Sequence, residues 1–372
     1  MNRTSLRRER LRSHRLTARA ASVVEAARHM LAVQSQDFAA GRWTLAARTR
    51  GTVTLGTVDR AFDRGDLVRA WTMRGTLHTI PARDLGWVLS VTGARQLAAA
   101  ATRHRDLAID DELLRRAARI IDPVLRDGGC SRAEAFARWA DAGIDPRDQR
   151  GVHLLGALAM RGEICQGPVV SATTSAGIAR EQRFVATDAW IRDPMRPDDP
   201  LAELFVRYVD GHGPVRVEDF AWWSGLTLGA SREAVARAGG RVVEVEEGVY
   251  AAIAPPRRSP GASRVQVLGA FDEYYISYAD RTLVCPPEGL AAVGPGKNGM
   301  VRPVVVVDGE VVGVWRLPPA SGREGGEAVI ELFSAGERSP LEPAIDEQLR
   351  AALARHTAFL GAAQPTAGRP RE

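Results

Sequence analysis

The chain has 372 residues, of which 45% are hydrophobic and 26% charged, and a net charge of +5. That balance excludes global disorder, and the lack of an apolar run of spanning length argues against an integral membrane protein. Three cysteines, Cys130, Cys165 and Cys285, stand far apart without a CxxC pair, which argues against a disulfide framework or a cysteine zinc site and for a reducing cytoplasm.

Lys297 is the single lysine, so the positive charge is carried almost wholly by arginine. Arginine binds phosphate bidentately and stacks on bases, which suits nucleic acid; solvated arginine faces account for the charge equally well. Residues 1–15 read as a flexible basic arm, with Arg3, Arg7, Arg8, Arg10, Arg12 and Arg15 against Glu9. The first nineteen residues have no apolar core, so they do not read as a secretory signal.

From there one pattern repeats three times: helices, then a short β-hairpin. The first unit, residues 16–100, opens on Ser22 with Glu25 as a capping box and continues with a helix near 58–63. Its hairpin covers 67–72 and 76–80 and pivots at Arg74-Gly75, a winged-helix outline. The second unit, 101–192, has helices at 112–125, 132–142 and 147–161 and a long wing at 163–171 and 182–187. The third, 193–255, runs through helices at 201–210, 217–224 and 231–238 to a ribbon at 241–245 and 248–253. A tail of different character, 256–362, is strand-rich: 304–307, Asp308-Gly309 and 310–315 form a hairpin suited to a type I′ turn. Strands at 265–268 and 327–333 and a last helix at 342–360 complete it, and residues 363–372 read as a loose tail. The fold expected is mixed α and β: three tandem winged-helix units plus a C-terminal β-rich, barrel-like domain.

Chemistry concentrates at two places. In Leu31-Ala32-Val33-Gln34-Ser35-Gln36-Asp37 an apolar helix face ends in two glutamines two residues apart. On a helix such positions diverge by roughly 200°, whereas on an extended segment they share a side, so a joint role requires the helix to stop near Val33. The same glutamines could instead cap the helix and bridge to neighbours, and Asp37 reads as a cap or, alternatively, as an electrostatic stabiliser of positive charge. The hairpin then carries Arg69, Trp71, Arg74, Thr76 and His78; alternation puts Trp71 and Met73 on one side, Thr72 and Arg74 on the other. Arginine and tryptophan there suit phosphate contact and base stacking, or a core tryptophan with an ion-paired arginine. The run from Gly294 to Gly299 matches GxGxxG but precedes a hairpin, so it is not a dinucleotide site. The seven histidines lack metal spacing, so no metal and no cofactor is expected. Trp222-Trp223 reads as core.

These segments occur in order with Phe271-Asp272-Glu273-Tyr274, Asp280-Arg281, Lys297-Asn298-Gly299 and Gly313-Val314-Trp315-Arg316. In this the chain resembles the winged-helix bacterial DNA glycosylases of the azinomycin-resistance, AlkZ-like, family over residues 16–360. The resemblance implies a curved DNA-binding scaffold, with Gln34 and Gln36 as the catalytic pair and Arg69, Trp71, Arg74, Thr76, His78 and Asn298 on DNA. The residue between the glutamines is usually aliphatic in the family; here it is Ser35. The implied reaction is hydrolysis of the N-glycosidic bond of bulky or crosslinking N7-alkylguanine adducts, as in genotoxin self-resistance, by a monomer acting on double-stranded DNA. With Lys297 as the only side-chain amine for a Schiff base, a monofunctional enzyme without lyase activity is expected. The competing reading is a non-catalytic DNA-binding protein, a regulator or a lesion-sequestering factor; a weaker one is a protein-interaction scaffold.

Overall fold

In the computed structural model, which describes residues 2–174, 177–296, 299–317, 328–333 and 342–361, the stretch expected to be a loose arm is helix α1 (Arg3–Ser13). Asn2 caps it by accepting from the Ser5 N–H at 2.8 Å. Leu11 and Leu16 enter a core with Phe271, Tyr274 and Val304, and Arg7 donates to the Leu283 carbonyl (2.7 Å) and to Glu310 (2.8 Å). The arginine count conceals this because the leucines, not the guanidiniums, decide where the segment goes.

The next elements are α2 (Val23–Met30), β1 (Val33–Gln34), α3 (Phe38–Ala47), α4 (Leu55–Asp63), β2 (Leu67–Met73) and β3 (Thr76–Pro81). Ser22 caps α2 as expected, accepting from the Glu25 N–H at 3.1 Å, while the Glu25 carboxylate reaches one residue further back, to the Ala21 N–H at 3.0 Å. A 22-residue helix, α5 (Leu85–Asp106), then leads to α6 (Asp111–Arg126), α7 (Arg132–Asp141), α8 (Arg150–Met160), β4 (Ile164–Thr174), β5 (Gly177–Ala186) and the short α9 (Thr187–Trp190). The capping box of Ser131 and Glu134 opens α7.

The hairpins of these first two segments are not separate wings. They share one five-stranded sheet, β1-β3-β2-β4-β5, joined where Arg69 pairs with Gln166. A third segment repeats the order helix, strand, two helices, two strands: α10 (Pro200–His212), β6 (Val215–Arg216), α11 (Val217–Ser224), α12 (Leu228–Ala238), β7 (Val243–Glu246) and β8 (Val249–Ala251). Its sheet order is β6-β8-β7.

The C-terminal part comprises β9 (Val265–Leu268), α13 (Glu273–Ile276), α14 (Pro287–Val293), β10 (Val304–Val307), β11 (Glu310–Arg316), β12 (Val329–Leu332) and α15 (Pro343–Gly361). Asp308 (φ 49°) and Gly309 (φ 83°) make the two-residue turn that Asp-Gly promised. The barrel is a correction: among the described residues the sheet is open, ordered β12-β11-β10-β9. Ile345 and Leu349 of α15 pack on Val265, Val267, Val305 and Trp315, so one face is covered by a helix and burial does not require the sheet to close. Among the described residues no helix is long and apolar enough to cross a membrane.

Candidate functional site

The glutamine segment is set by an abrupt change of backbone. Helix α2 ends at Met30, and Leu31 takes φ 60°, ψ −58°, while the Ala32 N–H donates to the Met30 carbonyl at 2.7 Å. This is a γ-turn with positive φ, a strained conformation costing about 1–3 kcal/mol and kept only where packing enforces it; Leu31 is fully buried. The chain leaves it extended, with Val33 opposite Thr79 and Gln34 opposite His78. The helix thus stops three residues earlier than expected, and the glutamines flank Ser35 on an extended segment. Ser35 faces inward: its hydroxyl donates to the Val33 carbonyl (3.0 Å) and lies 2.8 Å from the Thr79 hydroxyl. A Cβ at Gly41 would come within 2.2 Å of the Ser35 Oγ, so the serine has a seat matched by a glycine. Asp37 accepts from the Ala40 N–H at 3.0 Å and caps α3.

Arg74 and Gly75 form the two-residue turn between β2 and β3, both at positive φ. From there the Arg74 Nη2 donates to the Gln34 Oε1 at 2.8 Å, and its Nη1 donates to the Trp223 carbonyl. The carbonyl end of Gln34 is therefore fixed, and its Nε2 makes no hydrogen bond among the described residues. Gln36 is exposed, with its Oε1 accepting from the Leu77 N–H at 3.3 Å. Arg69 braces the segment from below: its Nε donates to the Ser35 carbonyl (2.8 Å), Nη2 to the Gln36 carbonyl (3.3 Å) and Nη1 to the Gln166 Oε1 (2.7 Å). Burial lowers Arg69 to about 10, so it stays charged at neutral pH. His78 is buried, 3.0 Å from the Thr72 hydroxyl; burial and the Arg74 charge lower it to about 3, so it is neutral.

The sequence-predicted residues thus divide. Gln34, Gln36, Arg69, Arg74 and His78 converge, and Thr76 closes the turn by donating to the Met73 carbonyl at 3.2 Å. Trp71 does not join them. It packs against the core of the second segment beside Gly156 of α8, while Met73 goes into a different core with Leu31 and Val68. The expected common side for Trp71 and Met73 fails because the pairing shifts between them. Asn298, like Lys297, lies outside the described residues.

One carboxylate at the centre was not among the predicted site residues. The Gln34 backbone N–H donates to the Glu273 Oε1 at 2.6 Å, the Trp223 Nε1 donates to its Oε2 at 3.2 Å, and the Ser277 hydroxyl donates there too. Burial pushes Glu273 up, but His212, its Nε2 3.7 Å from the carboxylate, and the Arg74 guanidinium outweigh it and bring it down to about 2. The signal was in the sequence: two adjacent acids inside the apolar run from Phe271 to Ile276. Trp222 is a second correction. Trp223 is fully buried, but Trp222 is 43% exposed, held by its Nε1 donating to the Ile276 carbonyl at 2.8 Å, with the Arg281 guanidinium 5.0 Å over its ring.

Chemically, the cluster offers two amides over an ionised carboxylate and a guanidinium. Its protonation states are fixed: His78 (about 3), Glu273 (about 2) and Arg69 (about 10) do not change state between pH 5 and 8. Among the described residues no group of histidine, cysteine, aspartate and glutamate side chains could hold a metal ion.

The comparisons with known proteins agree with one another. The family model described as DNA glycosylase AlkZ-like matches residues 27–359. The interstrand DNA cross-link repair glycosylase of Streptomyces sahachiroi is 29% identical over 339 residues, covering 87% of this chain and 88% of that protein. The solved structure of Streptomyces sahachiroi DNA glycosylase AlkZ superposes with a TM-score of 0.74 at 24% identity, covering 96% of each chain, and so shares the fold. With nearly its whole length matched by the family model, the chain belongs to the AlkZ-like DNA glycosylase family.

Proposed function

We propose that the chain is a monofunctional DNA glycosylase that hydrolyses the N-glycosidic bond of bulky or crosslinking N7-alkylguanine adducts, in the cytoplasm, as a monomer on double-stranded DNA. The observation that carries the reading is the pair Gln34 and Gln36 on an extended segment that follows the strained turn at Leu31, one amide locked by Arg74 over ionised Glu273. Breaking the bond develops oxocarbenium character on the sugar while the base leaves. A guanine alkylated at N7 is already cationic and needs no acid, which fits a cluster whose charges are constant around neutrality. The protein then has to place a water and the nucleotide: the Gln34 Nε2 donates to sugar, phosphate or water, and the Gln36 carbonyl accepts from the water. Buried Glu273 supplies fixed negative potential behind them.

Three segments with the helix-and-hairpin order of winged helices, tied by arginine, support a DNA-binding scaffold for this site. The unhooking of interstrand cross-links fits the description of the relative from Streptomyces sahachiroi, and genotoxin self-resistance is the biological role proposed with it.

The deciding experiment is base release from duplex DNA carrying N7-methylguanine and a bulky N7 adduct, by wild type and by Gln34→Ala/Gln36→Ala. Release falling about 10²- to 10³-fold in the variant, with DNA binding retained, is the expected result. Borohydride treatment should trap no protein–DNA adduct. Binding without release by wild type would leave a lesion-sequestering factor in place of an enzyme.

A further inference from the structure

A cleft of about 460 Å³ opens beside the glutamine pair, lined by Arg74, Arg95, Gln96, Ala98, Ala99 and Gly225. It is continuous with the site through Arg74, whose Nη2 holds the Gln34 Oε1 at 2.8 Å on one side while its stem lies against Gly225 on the other. Arg95, Ala98 and Ala99 share one face of α5. Opposite them is the bend after α11, where Gly225 takes φ 70° and accepts from the Arg95 Nε at 2.6 Å.

Two features distinguish this cleft from an accidental furrow. Gln96 is only 7% exposed, yet its amide makes no hydrogen bond among the described residues. Its Nε2 sits 3.3 Å from where a Cβ on Gly225 would lie, so it points into the cleft. The amide thus opens onto the cleft, where a ligand oxygen would take the place of the water it otherwise donates to. In addition, no carboxylate lines the cleft; its floor is small and apolar and its polar groups include the guanidiniums of Arg74 and Arg95 and the Gln96 amide. That combination selects an apolar body bearing hydrogen-bond-accepting oxygens. The volume is within the range of sites for drug-sized groups.

We propose that this cleft receives the substituent of the N7 adduct, an apolar group carrying carbonyl-type oxygens, with Gln96 and Arg95 as its donors. The inference rests on the glycosylase reading for its substrate. Guanine N7 lies on the major-groove edge, so a substituent on it projects away from the sugar, and room is needed beside the residues that act on the bond. The cleft is then the specificity-determining part of the site, and the glutamines are indifferent to what the alkyl group carries.

The test compares duplexes carrying N7-methyl-, N7-benzyl- and N7-phenacylguanine, the last adding an aryl group with one ketone oxygen. Binding is measured in the Gln34→Ala/Gln36→Ala background, so that it does not depend on catalysis, and excision in the otherwise wild-type chain. The parent should prefer phenacyl over methyl, with benzyl between. Ala99→Trp, which fills the cleft from an exposed helix position, should reduce the phenacyl-to-methyl ratio about tenfold; Gln96→Leu, with its melting temperature checked, should reduce phenacyl to the level of benzyl. An unchanged ratio in both variants, or equal weakening of all three duplexes as for a phosphate contact, overturns the cleft. If the ratio shifts in binding while wild type releases no base, the cleft stands and the glycosylase reading falls.

Discussion

Asp272 and Glu273 are neighbours in sequence and opposites in use. Asp272 takes two hydrogen bonds from Arg48 (2.7 and 2.9 Å), one from the Thr44 hydroxyl (3.1 Å) and one from the Tyr274 N–H (2.9 Å). Both members of that ion pair are fully buried. It ties α3 to the start of α13 and has no lone pair left for a ligand. Glu273, one residue on, turns toward the Gln34 N–H and Trp223, and its charge faces Arg74, which still borders solvent. A buried acid therefore belongs to the scaffold when its partners saturate it, and to the proposed site when its partners are the groups proposed to touch substrate. Burial alone does not separate the two cases.

Removing each acid sharpens the distinction. Asp272→Ala leaves Arg48 buried and unpaired, which costs about 3–5 kcal/mol, so chemical denaturation should show a large loss of stability or the protein should fail to accumulate. Glu273→Gln keeps the shape and most hydrogen bonds but deletes the charge. A hydrogen bond to a charged group is worth about 1.5–3 kcal/mol, so base release should fall about ten- to a hundredfold while DNA affinity changes little. If the two variants behave alike, the division is wrong.

Near neutral pH the effects are the smallest, and they grow as the solution is acidified. His29 and His78 titrate at about 3 and His356 at about 4 in the folded chain, all lowered chiefly by burial. Unfolded histidine titrates at about 6.5, so the unfolded chain binds more protons as pH falls below that value. Stability should accordingly be constant above about pH 7 and decline as pH drops from 6.5 toward 3, followed by thermal melts. Loss of the Glu273 charge adds to it from about 4.5 down to 2. Across pH 5 to 8 base release should be nearly flat per folded molecule, unlike that of an enzyme relying on a titrating acid.

Local sequence carried much of the site. A joint role for glutamines two apart required an extended segment, and the structure supplies one after Met30. Arg74-Gly75 and Asp308-Gly309 marked their hairpins because both turns need positive φ. Helices α3 and α5 were not anticipated: α5 carries two glycines and a run of four alanines, so its apolar periodicity is faint, and its position is set by what packs around it. Leu11 of α1 and Leu16 just after it carry no local sign of partners more than 250 residues away.

The mixed α and β class, the hairpin turns and the caps were thus determined by the sequence itself, since each depends on backbone preferences or side-chain chemistry within a few residues. Only the tertiary structure decided that two hairpins merge in one sheet, that Trp71 is packed away while Trp222 is exposed, and that Glu273 lies under Gln34. Those outcomes depend on contacts between distant segments, where burial and pairing outweigh any local preference. Gln34 and Glu273 are 239 positions apart, and a 2.6 Å hydrogen bond joins them only because the fold brings β1 to the first turn of α13.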